Sequence, residues 1–198
     1  MLSLQELAPN VAALRSAFEV LMLFFLPWGP GAPAGILVAR QAGLGPVATS
    51  LLYLLSDVLT ALILEPLAHW AGRQAGHRPR LAAVFRRMGQ VSGGVAARLF
   101  PGRAGIAAGL ALFSFTTDLY TAGIASRAVP AHRALAWAAV IAGDMAWFLL
   151  ILATTLGLTR VIADDRLVFG GVLLIGLAAG AVAKRLGMRG RPTQSPQA

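Results

Sequence analysis

Apolar residues come in long runs along this chain, and the polar residues between them are mostly basic. Residues 3–19 mix Leu, Val, Ala and Phe with Glu6, Arg15 and Glu19. This pattern predicts an amphipathic helix at an interface, from about Val11 onward, with Pro9 breaking it early. Val20–Ala39 then carries no charge over 20 residues, enough by length to span a bilayer. Its centre reads Pro27-Trp28-Gly29-Pro30-Gly31-Ala32-Pro33. Three prolines and two glycines cannot continue a helix, and in hydrocarbon the freed backbone groups need protein or cavity water as partners. The expectation is a re-entrant hairpin whose turn is built from Gly29, Pro30, Gly31 and Pro33.

Leu44–Trp70 is long enough to span, with Asp57 near its middle and Glu65-Pro66 in its last turns. Ala71–Arg103 follows with seven arginines and no acid, and reads as a basic amphipathic segment broken at Gly93-Gly94. Ala104–Ser126 is apolar at both ends and polar in the middle, where Ser114, Thr116, Thr117, Asp118, Tyr120 and Thr121 cluster. Ala134–Thr159 is a long span containing Asp144. A charge-balanced connector, 160–166, leads to a last apolar run, 167–183, at the short end for a span. The tail, 184–198, is basic and polar.

Composition narrows the class. Hydrophobic residues make up 57% of the 198, Gly adds 22 residues and charged residues only 13%. A soluble domain carries about 25% charge, so this chain lacks the polar surface to cover itself in water. A soluble enzyme, a free nucleic-acid binder and a disordered chain are all disfavoured. The fold class expected is an all-α integral membrane protein. No cysteine is present, so thiolate chemistry is excluded, and the three histidines are far apart with no metal-ligand spacing. No cofactor is implied. The N-terminus lacks the basic region of a cleaved signal peptide.

The net charge is +9, and the loops that hold its Arg and Lys residues set orientation. With residues 71–103 and the tail on the cytoplasmic face, a full crossing by 104–126 would strand the basic tail outside. If 104–126 dips in and returns, Arg127–Arg133 and the tail both lie inside and the neutral 160–166 connector lies outside. The same bookkeeping makes the first hairpin enter from the outer face. A multi-pass protein of a bacterial-type inner membrane, with a cytoplasmic C-terminus, is the expected location.

Opposite entry is what an inverted repeat produces. Ala34-Gly35-Ile36 precedes Arg40 and Asp57, and Ala122-Gly123-Ile124 precedes Arg127 and Asp144, with the Asp 17 positions after the Arg in each half. Repeat one is expected over about 3–70, repeat two over about 81–159, and the whole as one transmembrane domain over 1–183 followed by the tail.

These features resemble the DedA/VTT superfamily and its relatives, the small multidrug-export proteins. The similarity rests on Pro30-Gly31 before Ala34-Gly35-Ile36, on Gly72-Arg73-Gln74-Ala75-Gly76, on Arg98-Leu99-Phe100-Pro101-Gly102-Arg103, and on Ala122-Gly123, Pro130, Gly143 and Trp147. It covers about residues 20–160. DedA loops usually place a Glu beside the Pro-Gly, whereas Ala32 follows Gly31 here and the first hairpin holds no acid. The resemblance implies a small transporter, moving a lipid-linked phosphate in the DedA case or an exported amphiphile in the other.

The residues themselves point the same way. A charge at mid-membrane costs at least about 2.5–3.5 kcal/mol unless paired or hydrated. Asp57 and Asp144 are therefore candidates for a proton or cation site, against a structural alternative in which each merely caps or pairs between helices. Asp118, with Thr116, Thr117 and Tyr120, is expected at the tip of the second hairpin. Arg40 and Arg127 are placed to draw in an anionic headgroup or to act as interface anchors. Glu65, two turns beyond Asp57, is a cytoplasmic relay or an interfacial charge. The tryptophans read as packing or belt residues. Arginines 73–103 are expected to bind anionic lipid, not nucleic acid. The expected activity is alternating-access transport by a homodimer. A non-transporting subunit or assembly factor is the alternative, and an enzyme is not expected because no nucleophile–base pair or metal cluster is visible.

Overall fold

A computed structural model describes residues 4–26, 31–75, 77–80, 83, 102–162, 164, 166–175 and 178. These residues are mostly helical, with no strand among them. Seven helices are distinguished: α1 (Leu4–Phe24), α2 (Gly31–Gln41), α3 (Pro46–Ala75), α4 (Arg103–Thr116), α5 (Leu119–Ala125), α6 (Arg133–Leu158) and α7 (Arg166–Ile175). A single 3-10 turn, Ser126–Ala128, follows α5.

α3 and α6 are long and apolar enough to cross a membrane. At 1.5 Å per residue they extend about 45 and 39 Å. They run antiparallel, since Tyr53 meets Asp144 while Glu65, twelve residues later on α3, meets Trp137, seven residues earlier on α6. Pro66 lies inside α3 and removes one helix hydrogen bond directly after Glu65.

Each of the two ambiguous apolar segments is a helix–break–helix. α1 ends at Phe24 and α2 begins at Gly31, folded back against α1. α4 ends at Thr116, and α5 begins at Leu119, where the polar stretch lies. Arg103, at the start of α4, and Pro130–His132, after α5, line the same pocket. The chain therefore enters and leaves this segment at one end of the α3–α6 pair.

Two apolar cores lie at opposite ends of that pair. One joins Val20 and Phe24 of α1, Ile36 and Leu37 of α2, Tyr53 of α3, Phe148 and Ile151 of α6, and Val168 and Val172 of α7. The other joins Ala61 of α3, Leu110 of α4, Leu119 and Ala122 of α5, and Trp137 and Val140 of α6. α4 and α6 approach closely at Gly143, where a Cβ would overlap the backbone of Ala111. Gly35 and Gly123, the central residues of the two Ala-Gly-Ile motifs, each seat an aromatic ring in the space of a missing Cβ, Phe24 and Trp137 respectively.

The outer faces are apolar. On α3, Leu51, Leu55, Val58 and Leu62 form an exposed stripe spaced at the helical repeat. Leu14 and Phe18 do the same on α1. Contiguous apolar surface of this kind needs lipid or a partner to cover it.

The helix boundaries differ from the pattern in two places. α1 begins at Leu4, not near Val11, and passes through Pro9. Pro9 lies so near the start that it forfeits one bond, to the carbonyl of Gln5. α3 continues past Trp70 to Ala75, so Arg73 belongs to the helix. Gly29 and Pro30 of the expected first loop, Arg86, Arg87 and Arg98 of the basic segment, Gly93-Gly94, and the end of the last apolar run with its tail lie outside the described residues.

Candidate functional site: a buried acid pair

Asp57 is the twelfth residue of α3, and Asp144 is the twelfth of α6. Eleven residues of helix place each about 16 Å from the N-terminus of its own helix. The antiparallel register set by the Tyr53–Asp144 and Glu65–Trp137 bonds brings the two acids to nearly the same level. Asp57 is 3% exposed and Asp144 6%, and they lie within each other's electrostatic field.

The two acids are not equivalent. Tyr53, one turn before Asp57, donates its hydroxyl hydrogen bond to Asp144 Oδ2 at 2.7 Å. Asp57 Oδ2 is buried with no hydrogen-bond partner. No cation among the described residues forms an ion pair with either acid. An uncompensated carboxylate is expensive to bury, so this arrangement is one the fold would not keep for stability alone.

An aromatic wedge closes one side of the pair. Tyr53 stacks on Phe148 at 3.9 Å between centroids, and Phe24 meets both rings edge-on at 5.0 and 5.6 Å. The wedge ties α1, α3 and α6 together beside Asp144 and excludes water from that flank.

The two helix breaks meet at the pair. Tyr120, on the first turn of α5, donates to the carbonyl of Phe25 just beyond α1, at 2.8 Å. Thr60 of α3 is buried beside the same tyrosine. Asp118 caps α5 by accepting from the backbone N–H of Thr121 at 2.7 Å, and its charge also reaches Asp144. Asp57, Asp144, Asp118 and Tyr120 are thus brought together from three elements.

The other sequence candidates lie elsewhere. Thr116 and Thr117 are exposed, and their hydroxyls donate back to the carbonyls of Leu112 and Phe113. They satisfy the C-terminal end of α4 and do not face the acids through a hydrogen bond. Gly31 and Pro33 are buried in α2, in its first turn rather than in a loop. Arg40 is exposed at the far end of α2.

Glu65 and Arg127 form a second polar cluster. Arg127 Nη1 lies 3.4 Å from Glu65 Oε1, Arg133 Nε lies 3.7 Å from the same oxygen, and Trp137 Nε1 donates to Oε2. Arg127 Nε reaches Ser126 Oγ at 3.3 Å, and its side chain is only 10% exposed. The cluster joins the C-terminal half of α3 to the turn after α5 and to the start of α6.

Sequence reasoning missed Tyr53, Thr60 and Trp137. Tyr53 carried a usable signal: it is one of only two tyrosines, and four residues before an acid in an apolar helix it shares that acid's helix face. Trp137 is a packing residue, but it also holds Glu65, which no spacing in the sequence could reveal.

Among the described residues, no group of three or more His, Cys, Asp or Glu side chains could hold a metal ion. No family model, no curated protein and no solved structure matches this chain.

Proposed function

We propose that the chain is an integral membrane protein and a small transporter, in which Asp57 and Asp144 form a proton-exchanging site at mid-membrane. The observation that carries this reading is the acid pair itself: two carboxyls at equal depth on antiparallel helices, buried, without a cation. Two such groups cannot both hold full charge at low dielectric, so the pair is suited to taking up and releasing a proton. Alternating access to that site from either face is the motion it would serve.

Several features support the membrane arrangement. α3 and α6 have the length of spans, and their outer faces are apolar. The segment 103–128 starts and ends at one end of the bundle and breaks beside the acids, as a re-entrant hairpin would. The break after Phe25 meets it there, as an inverted repeat would require. In this topology the Glu65–Arg127–Arg133 end is cytoplasmic, and the membrane is of the bacterial inner type. Homodimerisation would cover part of the exposed stripe on α3.

The transported molecule is a lipid-linked phosphate or another small amphiphile. The chemistry of the centre favours the second, because a phosphate needs cations and Arg127 is already engaged by Glu65. The test is a reconstituted vesicle carrying an imposed pH gradient and a trapped pH dye, challenged with farnesyl phosphate or with a lipophilic amine. One probe should collapse the gradient through the native chain and fail to do so through Asp57→Asn or Asp144→Asn. Equal collapse by the native chain and both variants would contradict a proton-exchanging pair.

The alternative is a membrane subunit or assembly factor in which the acids are structural. The Tyr53–Asp144 bond favours it, since it is a satisfied contact between α3 and α6, and so does the Asp118 cap, which gives that acid a local structural role at the start of α5. On that reading both Asp→Asn variants keep full activity.

A further inference from the structure

We infer that the pocket between the N-termini of α4 and α6 holds the phosphate of a resident anionic phospholipid. It is lined by Arg103, Ile106, Pro130, Ala131, His132 and Leu135. Arg103 and His132 supply the polar lining, and neither forms an ion pair with an acid among the described residues. Ile106 and Leu135 supply apolar walls. A ligand that suits both is a phosphate attached to an apolar body.

The charge around the pocket calls for an anion. Arg133 adjoins His132 in sequence, and it shares the single carboxylate of Glu65 with Arg127. Arg103 adds a further cation, and no ion pair joins it to Glu65. The helix ends add to this field. α4 starts after Gly102 and α6 after His132, and neither first turn has a side-chain cap. Their leading N–H groups are left without an internal acceptor, and both helix dipoles present their positive ends here.

The pocket is separate from the acid pair. Arg133 precedes Asp144 by eleven residues, about 16 Å along α6. A headgroup held at the pocket stays at the end of the bundle, where it would fix α4 against α6 and anchor the second helix–break–helix. Its role is that of a bound lipid, not of the transported molecule.

The inference rests on the membrane reading above, and the experiment separates the two. The full chain is first fractionated from cells. If it does not sediment with alkali-washed membranes, the membrane reading fails. The solubilised protein is then titrated with dihexanoyl-phosphatidylglycerol, dihexanoyl-phosphatidylcholine and inorganic phosphate, with native mass spectrometry as the readout. The anionic lipid should bind more tightly than the other two. Arg103→Gln and His132→Gln should each weaken it, the arginine change by about tenfold, as expected for one lost charge-assisted hydrogen bond. Arg160→Gln, at the opposite end of α6, should leave it unchanged. Circular dichroism checks that each variant is folded, and if Arg103→Gln does not fold, His132→Gln carries the test. Inorganic phosphate binding as tightly as the lipid would make this a free-anion site and overturn the inference. So would equal binding of the two lipids, or equal weakening by Arg160→Gln.

Discussion

Asp57 and Glu65 are two turns apart on one helix, and their surroundings are opposite. Glu65 has two arginines within 4 Å and an indole N–H on its second oxygen. Asp57 has a second carboxylate for a neighbour and an oxygen with no partner. Both acids sit where α3 packs against α6 and its preceding turn, so the same helix pair shows how this fold treats a negative charge it needs for cohesion and one it does not. At Glu65 the protein supplies compensation from three residues. Among the described residues no cation pairs with Asp57, although Arg127 and Arg133 gather at Glu65 two turns away. On the proposed reading, Asp57 is the acid kept for its chemistry and Glu65 the one kept for cohesion.

The difference predicts opposite responses to removing the charge. Glu65→Ala should show the largest loss, because it leaves the nearly buried Arg127 without a counter-charge. Breaking a buried pair costs about 3–5 kcal/mol, and partial exposure of Glu65 reduces this to about 2–3 kcal/mol. A clear fall in unfolding temperature in detergent is the readout. Glu65→Gln should recover part of it by keeping an acceptor for Trp137.

Tyr53→Phe should cost about 1–2 kcal/mol, since it keeps the ring stack and strips the donor from Asp144. The ring geometry makes this substitution a clean test of the hydroxyl. Trp137→Phe should cost about 1 kcal/mol for the lost donor to Glu65, plus a smaller amount for the gap left at Gly123.

Asp57→Asn should have the smallest effect on stability, with an unfolding temperature equal to or above the parent. An amide buries more easily than an unpartnered carboxyl. A large loss on Asp57→Asn, matching that of Glu65→Ala, would erase the contrast and return Asp57 to a structural role.

Much of this was legible before the fold was known. The Pro/Gly cluster at 27–33 and the polar cluster at 114–121 announced both breaks, because neither can continue an apolar helix. The equal Arg-to-Asp spacing of the two halves anticipated that both acids would sit at the same position in their helices. Antiparallel packing then brings those positions to one level. What the sequence hid is the set of long-range partners. Nothing local marks Glu65 for Arg127, 62 residues on, or Tyr53 for Asp144, 91 residues on. From its place in the sequence Arg127 is a headgroup ligand or an interface anchor; the structure adds that its guanidinium meets Glu65 on α3. Thr116 and Thr117 were grouped with Asp118 by proximity in sequence. Their hydroxyls turn back onto α4, as Ser and Thr commonly do at helix ends. The pull of the helix on those hydroxyls cannot be told from the pull of a site by composition alone.

Alternating access, as proposed, requires that the acid pair be reached from each face in turn. The chain has no cysteine, so one placed at Ser56, a buried neighbour of Asp57, reports on that position alone. Ser56→Cys is labelled with a membrane-impermeant thiol reagent in right-side-out and in inverted vesicles. Alternating access predicts modification from both faces, with blocking from one face when the protein is held by an imposed pH gradient. Ser56→Cys that stays unlabelled from both faces, in folded protein that reacts with a membrane-permeant reagent only after denaturation, would contradict the claim.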